Sequence, residues 1–316
     1  MKLQTTLTIP KAQKAFGYRE RLLFLGSCFA ENIGAKARYY KFDATVNPFG
    51  ILFHPIAVEN VIEAAVQDKT FTEADVFELD GIWKSYDAHS DLNALSQLEA
   101  VIQLQEAQAQ LRTALLEASH IFITLGTAWV YEHLERGKIV ANCHKVPQKH
   151  FRKRLLSAQE VEQSVSSICQ LIDKLNPEAK ITFTVSPVRH IKDGIVENTQ
   201  SKANLLTAVH QVSAAQHTSY FPAYELMMDE LRDYRFYAAD MVHPSAQAID
   251  YIWERFLDTY AFAKALETYA EVKTILQALA HRPFNAESEA HLVFVEKLEK
   301  RIAKLQGEFP VLRFDD

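Results

Sequence analysis

The chain has 316 residues, 48% of them apolar and 23% charged, with a formal net charge of −6. That apolar content supports a substantial core and excludes intrinsic disorder. The negative balance, with no basic stripe, gives no electrostatic footprint for nucleic acid. No apolar run approaches the ~18 residues of a spanning helix, so no membrane span is expected.

In chain order, residues 21–26 read as a buried strand and 29–40 as a helix. Phe42–Val46 is a second short strand, ending at Asn47-Pro48-Phe49-Gly50, and 56–67 a helix. A long helical stretch, about 91–118, carries Leu92, Leu95, Leu98, Val101 and Ile102 at three- and four-residue steps. His120–Leu125 is a third strand, closed by Gly126-Thr127. Trp129–Tyr131 and Ile139–Val140 pair as a hairpin across Arg136-Gly137-Lys138. A helix at 157–175 precedes a fourth strand, Ile181–Val185, stopped by Ser186-Pro187. Residues 201–216 read as helix, Ser219–Phe221 as a short extended segment, Asp240–Ser245 as a loop, and Ala246–Tyr260 as the last core helix.

Strands alternating with helices predict an α/β fold, a three-layer arrangement with a mostly parallel sheet covered on both faces. In such sheets ligands bind outside the carboxyl ends of the strands, where Gly26, Gly50, Gly126 and Ser186 all fall. Residues 1–261 read as the α/β catalytic domain and 262–316 as a helical C-terminal extension. The extension carries Leu292, Val295, Leu298, Ile302 and Leu305 at helix spacing and offers a surface for a homo-oligomer.

Three cysteines, Cys28, Cys143 and Cys169, are an odd number at no zinc-like spacing, which argues against a disulfide framework and fits a reducing compartment. Leu25-Gly26-Ser27-Cys28 mimics the box before a lipidated cysteine. A signal needs ~7–15 apolar residues there, and Arg19, Glu20 and Arg21 leave only Leu22–Leu25. A cytoplasmic location is expected.

The chemistry-bearing features are two. Gly26-Ser27-Cys28 lies where a strand meets a helix, a place that presents a hydroxyl or thiol to unpaired N–H groups and a partial positive charge. Far downstream, Asp240-Met241-Val242-His243 sets a carboxylate and an imidazole three apart, the base end of a nucleophile–His–Asp relay. Several further segments are distinctive: Asn47-Pro48-Phe49-Gly50, Thr124-Leu125-Gly126-Thr127, Asn142-Cys143-His144-Lys145, Ser186-Pro187-Val188-Arg189-His190 and Ser201-Lys202-Ala203-Asn204. Together with Gly26-Ser27-Cys28-Phe29-Ala30 and Asp240-Met241-Val242-His243-Pro244 they resemble, in order, the GSCFA family, which is placed with the SGNH/GDSL-like hydrolases. The resemblance covers about residues 20–260. It implies a flavodoxin-like α/β/α fold and acyl-ester chemistry, with an O-acylated carbohydrate as the favoured substrate by analogy.

An ungapped comparison lays Gly26-Ser27-Cys28 on the superfamily's Gly-Asp-Ser and gives Cys28 the nucleophile position, while a one-residue shift gives it to Ser27. The third block departs from the pattern: Gly126-Thr127-Ala128 lacks the oxyanion asparagine two residues after glycine, leaving Asn142 or Thr127 as substitutes. Gly50 and Gly126 are candidates for oxyanion N–H groups, because glycine lets backbone approach a ligand. His144 and Asn142 are read as binding an acyl group or sugar hydroxyl. Adjacent Cys143 and His144 chelate a metal poorly, so no metal is expected. Arg189, with His190 beside it, is a clamp for a substrate carboxylate or phosphate. The relay requires no cofactor. Hydrolysis, acyl transfer through a Cys28 thioester, and binding of a glycan without catalysis all remain open at this level.

Overall fold

The computed structural model describes residues 4–215 and 218–314. Its strands and helices run β1 (Leu22–Gly26), α1 (Cys28–Tyr39), β2 (Ala44–Val46), α2 (Pro55–Val66), β3 (Phe77–Leu79), β4 (Ile82–Lys84), α3 (Gln97–Glu117), β5 (His120–Leu125), β6 (Trp129–His133), β7 (Lys138–Val140) and β8 (Phe151–Leu155). They continue with α4 (Ala158–Leu175), β9 (Lys180–Val185), α5 (Ile195–Ala215), β10 (Ser219–Tyr220), the single turn α6 (Ala223–Glu225), α7 (Ala246–Tyr260), α8 (Ala263–Leu279) and α9 (Glu289–Glu308).

Five strands form one parallel sheet in the order β10-β9-β5-β1-β2. This is the doubly wound, flavodoxin-like order: the chain goes outward from β1 to β2, then returns to β5 on the other side, so the direction reverses between β1 and β5. Alternation along the strands divides the core. Leu23, Leu25, Ile121, Ile123, Leu125, Ile181, Phe183 and Val185 face a cluster built with α2, α3, α4 and α5. Leu22, Phe24 and Phe122 face the opposite cluster, with Phe29 and Ile33 of α1 and Trp253, Phe256 and Tyr260 of α7. Three layers result, as the alternation of elements predicts.

The C-terminal helices join the second cluster rather than standing apart. Val272 and Ile275 of α8, Leu298 and Leu305 of α9, and Phe309, Leu312 and Phe314 are buried there. The Phe309 ring lies 5.7 Å from Tyr18, and Arg301 of α9 pairs with Glu271 of α8 through bonds of 2.8 and 2.7 Å. Leu292 is exposed, so the apolar spacing noted along α9 is buried chiefly in its second half.

Serines cap the helices where the sequence supplies them: Ser27, Ser96, Ser157, Ser245 and Ser288 each accept an N–H of the first turn. Helix α2 is capped instead by the buried His54. Its Nδ1 accepts from the Ala57 N–H at 3.1 Å, so its Nε2–H donates to the Val140 carbonyl at 3.0 Å. Burial holds this ring's pKa down to about 4.

Two readings of the sequence need correction, and a third needs an addition. The stretch 91–118 is not one helix. A 3₁₀ turn at Ser90–Leu92 precedes Ser96, which caps α3, and the buried stripe runs through Ala100, Val101, Leu104, Leu111 and Leu115. Leu95, Leu98 and Ile102 are exposed. Helix α5 begins at Ile195, six residues before the expected start. Its first turns are held by tertiary bonds, His190 N–H to Asn198 Oδ1 (2.9 Å) and Trp129 Nε1 to the Glu197 carbonyl (3.3 Å). The expected end at 216 lies outside the described residues. The hairpin β6–β7 forms with Tyr131 opposite Val140, but β8 adds a third strand along β6 that its charged sequence, Phe-Arg-Lys-Arg-Leu, conceals.

Gly26, the last residue of β1, has φ +118°, and a Cβ there would lie 2.1 Å from the Thr124 carbonyl oxygen of β5. Gly26→Ala is therefore expected to cost about 3 kcal/mol or more in denaturant unfolding; a loss under ~1 kcal/mol would show that β1 and β5 separate easily. A second expectation concerns pH. The unfolded His54 ring takes up its proton first as pH falls below ~6.5, while the folded ring resists until about 4. Stability is thus lost across that window, by on the order of 3 kcal/mol from this group. His54→Asn keeps a capping oxygen and should make the stability–pH slope between pH 6.5 and 4 shallower, read by thermal melts.

Candidate active site

The switch point between β1 and β5 gathers most of the candidates. Ser27 follows Gly26, and its N–H donates to the Thr124 carbonyl at 3.0 Å. Its side chain is fully buried, and Oγ accepts the Phe29 N–H at 3.3 Å as the cap of α1. Cys28, the first residue of α1, retains partial exposure. Burial raises its thiol pKa on balance, only partly offset by the charge of Lys202 and the N–H groups of Cys28 and Phe29. Asn47, at the end of β2, ties these turns together. Its Oδ1 accepts the Gly26 N–H (2.8 Å), and its Nδ2 donates to Glu31 Oε2 on α1 (3.0 Å).

Lys202 lies beneath. It is fully buried on α5, on the stripe shared by Ser201, Leu205, Ala208 and Val209. Nζ donates to the Gly126 and Ser186 carbonyls, both at 2.7 Å, at the ends of β5 and β9. Burial lowers its pKa to about 7, against a partly offsetting interaction with Cys28. His190, on the loop after β9, packs beside it. A Cβ placed on Gly126 would be 3.2 Å from His190 Nε2 and 3.2 Å from the Ser27 Cβ, so imidazole and turn meet over that glycine. His190 Nε2 is buried without a hydrogen-bond partner among the described residues. Burial, with the charges of Lys202 and His243, brings this ring's pKa down to about 4.

The Asp240–His243 pair forms as its spacing predicts. His243 Nδ1 and Asp240 Oδ2 are 2.6 Å apart, and Asp240 Oδ1 accepts the N–H groups of Val242 and His243 at 3.0 Å. Those bonds hold the carboxyl down at about 2. An ionised carboxylate only accepts, so the ring proton sits on Nδ1 and leaves Nε2 as the basic nitrogen. Both side chains are about half exposed. The Arg189 N–H donates to the Val242 carbonyl at 3.2 Å, which fastens the His190 loop to the His243 loop. Neither Ser27 Oγ nor Cys28 Sγ hydrogen-bonds to His243 among the described residues, so the relay is not closed in this state.

Other candidates have different work. Gly50 and Gly126 do not offer N–H groups to an oxyanion: the first donates to the Asn47 carbonyl at 2.7 Å, the second to Phe53 at 2.7 Å, and Thr127 N–H also goes to Phe53, at 2.9 Å. Gly50 instead makes room for His89, whose Cβ would be 2.4 Å from a Cβ there. Asn142 Oδ1 accepts the His144 N–H (2.8 Å), and His144 Nε2 is bonded to the Ser85 carbonyl (2.6 Å). Both side chains thus brace the loop beside Tyr86, Val140 and Phe151 rather than standing free. Thr127 Oγ1 is bonded to Ser201 Oγ at 3.0 Å. The Arg189 guanidinium stacks 4.5 Å from the Tyr237 ring centre. The N-terminal turn of α1 therefore remains as the backbone N–H source at Cys28.

Lys202 and Asn47 were not singled out as site residues by sequence reasoning. A lysine on the apolar stripe of a helix is the signal for the first; for the second, an asparagine at a strand end before Pro-Phe-Gly is too common a turn to read. Among the described residues no three His, Cys, Asp or Glu side chains converge as a metal site, and no helix is long and apolar enough to cross a membrane.

No curated protein matches the chain. Among solved structures it is similar to an acetyl xylan esterase (Est2A) from the rumen bacterium Butyrivibrio proteoclasticus, at 11% identity and a TM-score of 0.39 over 78% of this chain and 64% of that one. The chain thus spans under two thirds of that protein's length. The GSCFA family matches over residues 21–256, and the C-terminal domain of GSCFA domain proteins over 272–316. The first match takes in the whole parallel sheet and the loops carrying Cys28, His190 and His243: the chain belongs to the GSCFA family.

Proposed function

We propose that this protein is an acyl-transfer enzyme, a carboxylic-ester hydrolase in which Cys28 is the nucleophile. The observation that carries the reading is the convergence at one switch point of a half-open cysteine on a helix N-terminus with the tethered loops of His190 and the Asp240–His243 pair. Cys28 is preferred to Ser27 because the Ser27 hydroxyl is fully buried and occupied in capping α1.

The thiolate sulfur attacks the ester carbonyl carbon, and the carbonyl electron pair moves to oxygen, facing the α1 N-terminus. Collapse expels the alkoxide, which takes the proton that His243 Nε2 accepted from the Cys28 thiol, and leaves a thioester on Cys28. A water then attacks that thioester, losing its proton to His243 Nε2, and the acid departs. Asp240 keeps the ring in the tautomer this requires. Residues 1–261 form the catalytic unit and 262–316 a helical extension available for self-association. An O-acylated carbohydrate in a cytoplasmic setting is the substrate class to try first, on the strength of the SGNH-like resemblance.

A second reading is acyl transfer to an acceptor hydroxyl in place of water. Thioester chemistry favours it, because a thioester accepts either nucleophile.

Assays on acetylated sugars and aryl esters test the reading. Cys28→Ala is expected to lower turnover by ~10³-fold or more and His243→Ala by ~10²–10⁴-fold. Undiminished activity in Cys28→Ala alongside loss in Ser27→Ala would move the nucleophile to Ser27. Turnover indifferent to His243→Ala would remove the relay. Adding a sugar acceptor and measuring acylated product against free acid separates transfer from hydrolysis.

A further inference from the structure

We propose that Arg189 is the anion-binding residue of the substrate site, and that the ester is borne by an acidic carbohydrate whose carboxylate the guanidinium receives. The ester part rests on the acyl-transfer reading; the subsite stands on the placement of Arg189.

That placement is tied to the His243 loop from two sides. The Arg189 N–H donates to the carbonyl of Val242, the residue before His243, at 3.2 Å. Its guanidinium lies over Tyr237, 4.5 Å from the ring centre. Tyr237 in turn belongs to a short ladder with the same loop. It pairs with Pro244, the Ala238 N–H donates to the His243 carbonyl at 2.7 Å, and the Ser245 N–H donates to the Phe236 carbonyl at 2.8 Å. One framework therefore carries the guanidinium and the backbone of the relay histidine.

The guanidinium is held but not satisfied. Of its N–H donors, one on Nη2 meets a side-chain acceptor among the described residues, the Met228 sulfur at 3.8 Å, and a thioether accepts weakly. Contact with an aromatic ring uses the face of the group and leaves its edge, the fork that matches a carboxylate with two parallel bonds. The carboxylates of neighbouring segments are engaged elsewhere. Asp229 pairs with Arg232, Asp233 with Arg235, Asp193 with Lys153 and Asp240 with His243, while Glu225 accepts the Tyr220 hydroxyl. A chain of net charge −6 thus keeps, beside its Asp–His pair, a cation with no carboxylate partner among the described residues.

Tyr234 extends this platform toward a sugar. It is 65% exposed, its ring centre lies 5.6 Å from that of Tyr237, and the Arg189 guanidinium is 5.9 Å away. An exposed aromatic face beside a cation suits a ring that is apolar on its face and acidic at its edge. A lone guanidinium, planar and singly charged, matches a carboxylate in both charge and shape.

The test compares ester hydrolysis of O-acetylated methyl glucuronide, its neutral methyl ester and an O-acetylated sugar phosphate by the full chain, in the wild type, Arg189→Gln and Arg189→Lys. The wild type is expected to favour the free carboxylate over its methyl ester by ~10-fold or more in kcat/KM, chiefly through KM. Salt should shrink that ratio, because the pair is partly exposed. Arg189→Gln should bring the ratio near one, and Arg189→Lys, which keeps the charge and loses the fork, should restore it only in part. A wild type indifferent to the carboxylate, or an Arg189→Gln protein with the ratio intact, overturns the subsite. A preference for the phosphate overturns the carboxylate assignment. Calorimetric titration with unacylated methyl glucuronide reads the same contact without turnover. Uronate binding that is lost in Arg189→Gln, in a protein that hydrolyses no ester, would sink the acyl reading and keep the subsite. Cys28-dependent hydrolysis with no discrimination between acid and methyl ester would do the reverse.

Discussion

Strands β1, β5 and β9 end near one another in the sheet, and the buried carbonyls just past β5 and β9, those of Gly126 and Ser186, need donors. Lys202 meets that need for β5 and β9 with two 2.7 Å bonds. An unsatisfied buried carbonyl costs ~1–3 kcal/mol, so the lysine is a structural keystone whatever else it does. The cost of meeting the need this way is an amine held in apolar surroundings, with a proton affinity brought down toward neutrality. The same bonds that finish the sheet thus create a titrating group beside Cys28.

The neighbouring turns are fixed by equally local demands. Gly26 is required because β5 passes too close for a side chain, and Asn47 answers its N–H while reaching across to Glu31. Ser27 is consumed in capping α1. Each of these bonds removes a degree of freedom from the Cys28 backbone, so the sulfur is presented by a rigid corner rather than a loop. Preorganisation of that kind is what a developing oxyanion at a helix N-terminus exploits.

On the opposite side of the site the order is looser. The Asp240–His243 pair is exposed, and it is joined to the sheet through the Arg189 N–H to Val242 bond and the packing of Arg189 on Tyr237.

The sequence alone determined the sheet, its parallel sense and the strand-end location of the motifs, because apolar strands, glycine turns and serine caps are local signals. It also determined the Asp240–His243 pair, whose three-residue spacing suffices to bring carboxylate and ring together. What the tertiary structure decided was every role that depends on a partner distant in the chain. The N–H groups of Gly50 and Gly126 are already bonded, and Asn142 and His144 brace their own loop. Charged β8 joins a sheet that its composition hides. Lys202 becomes part of the site only because α5 carries it under β5 and β9. Hydrogen-bond saturation and burial are properties of the packed chain, and a motif read in isolation contains neither.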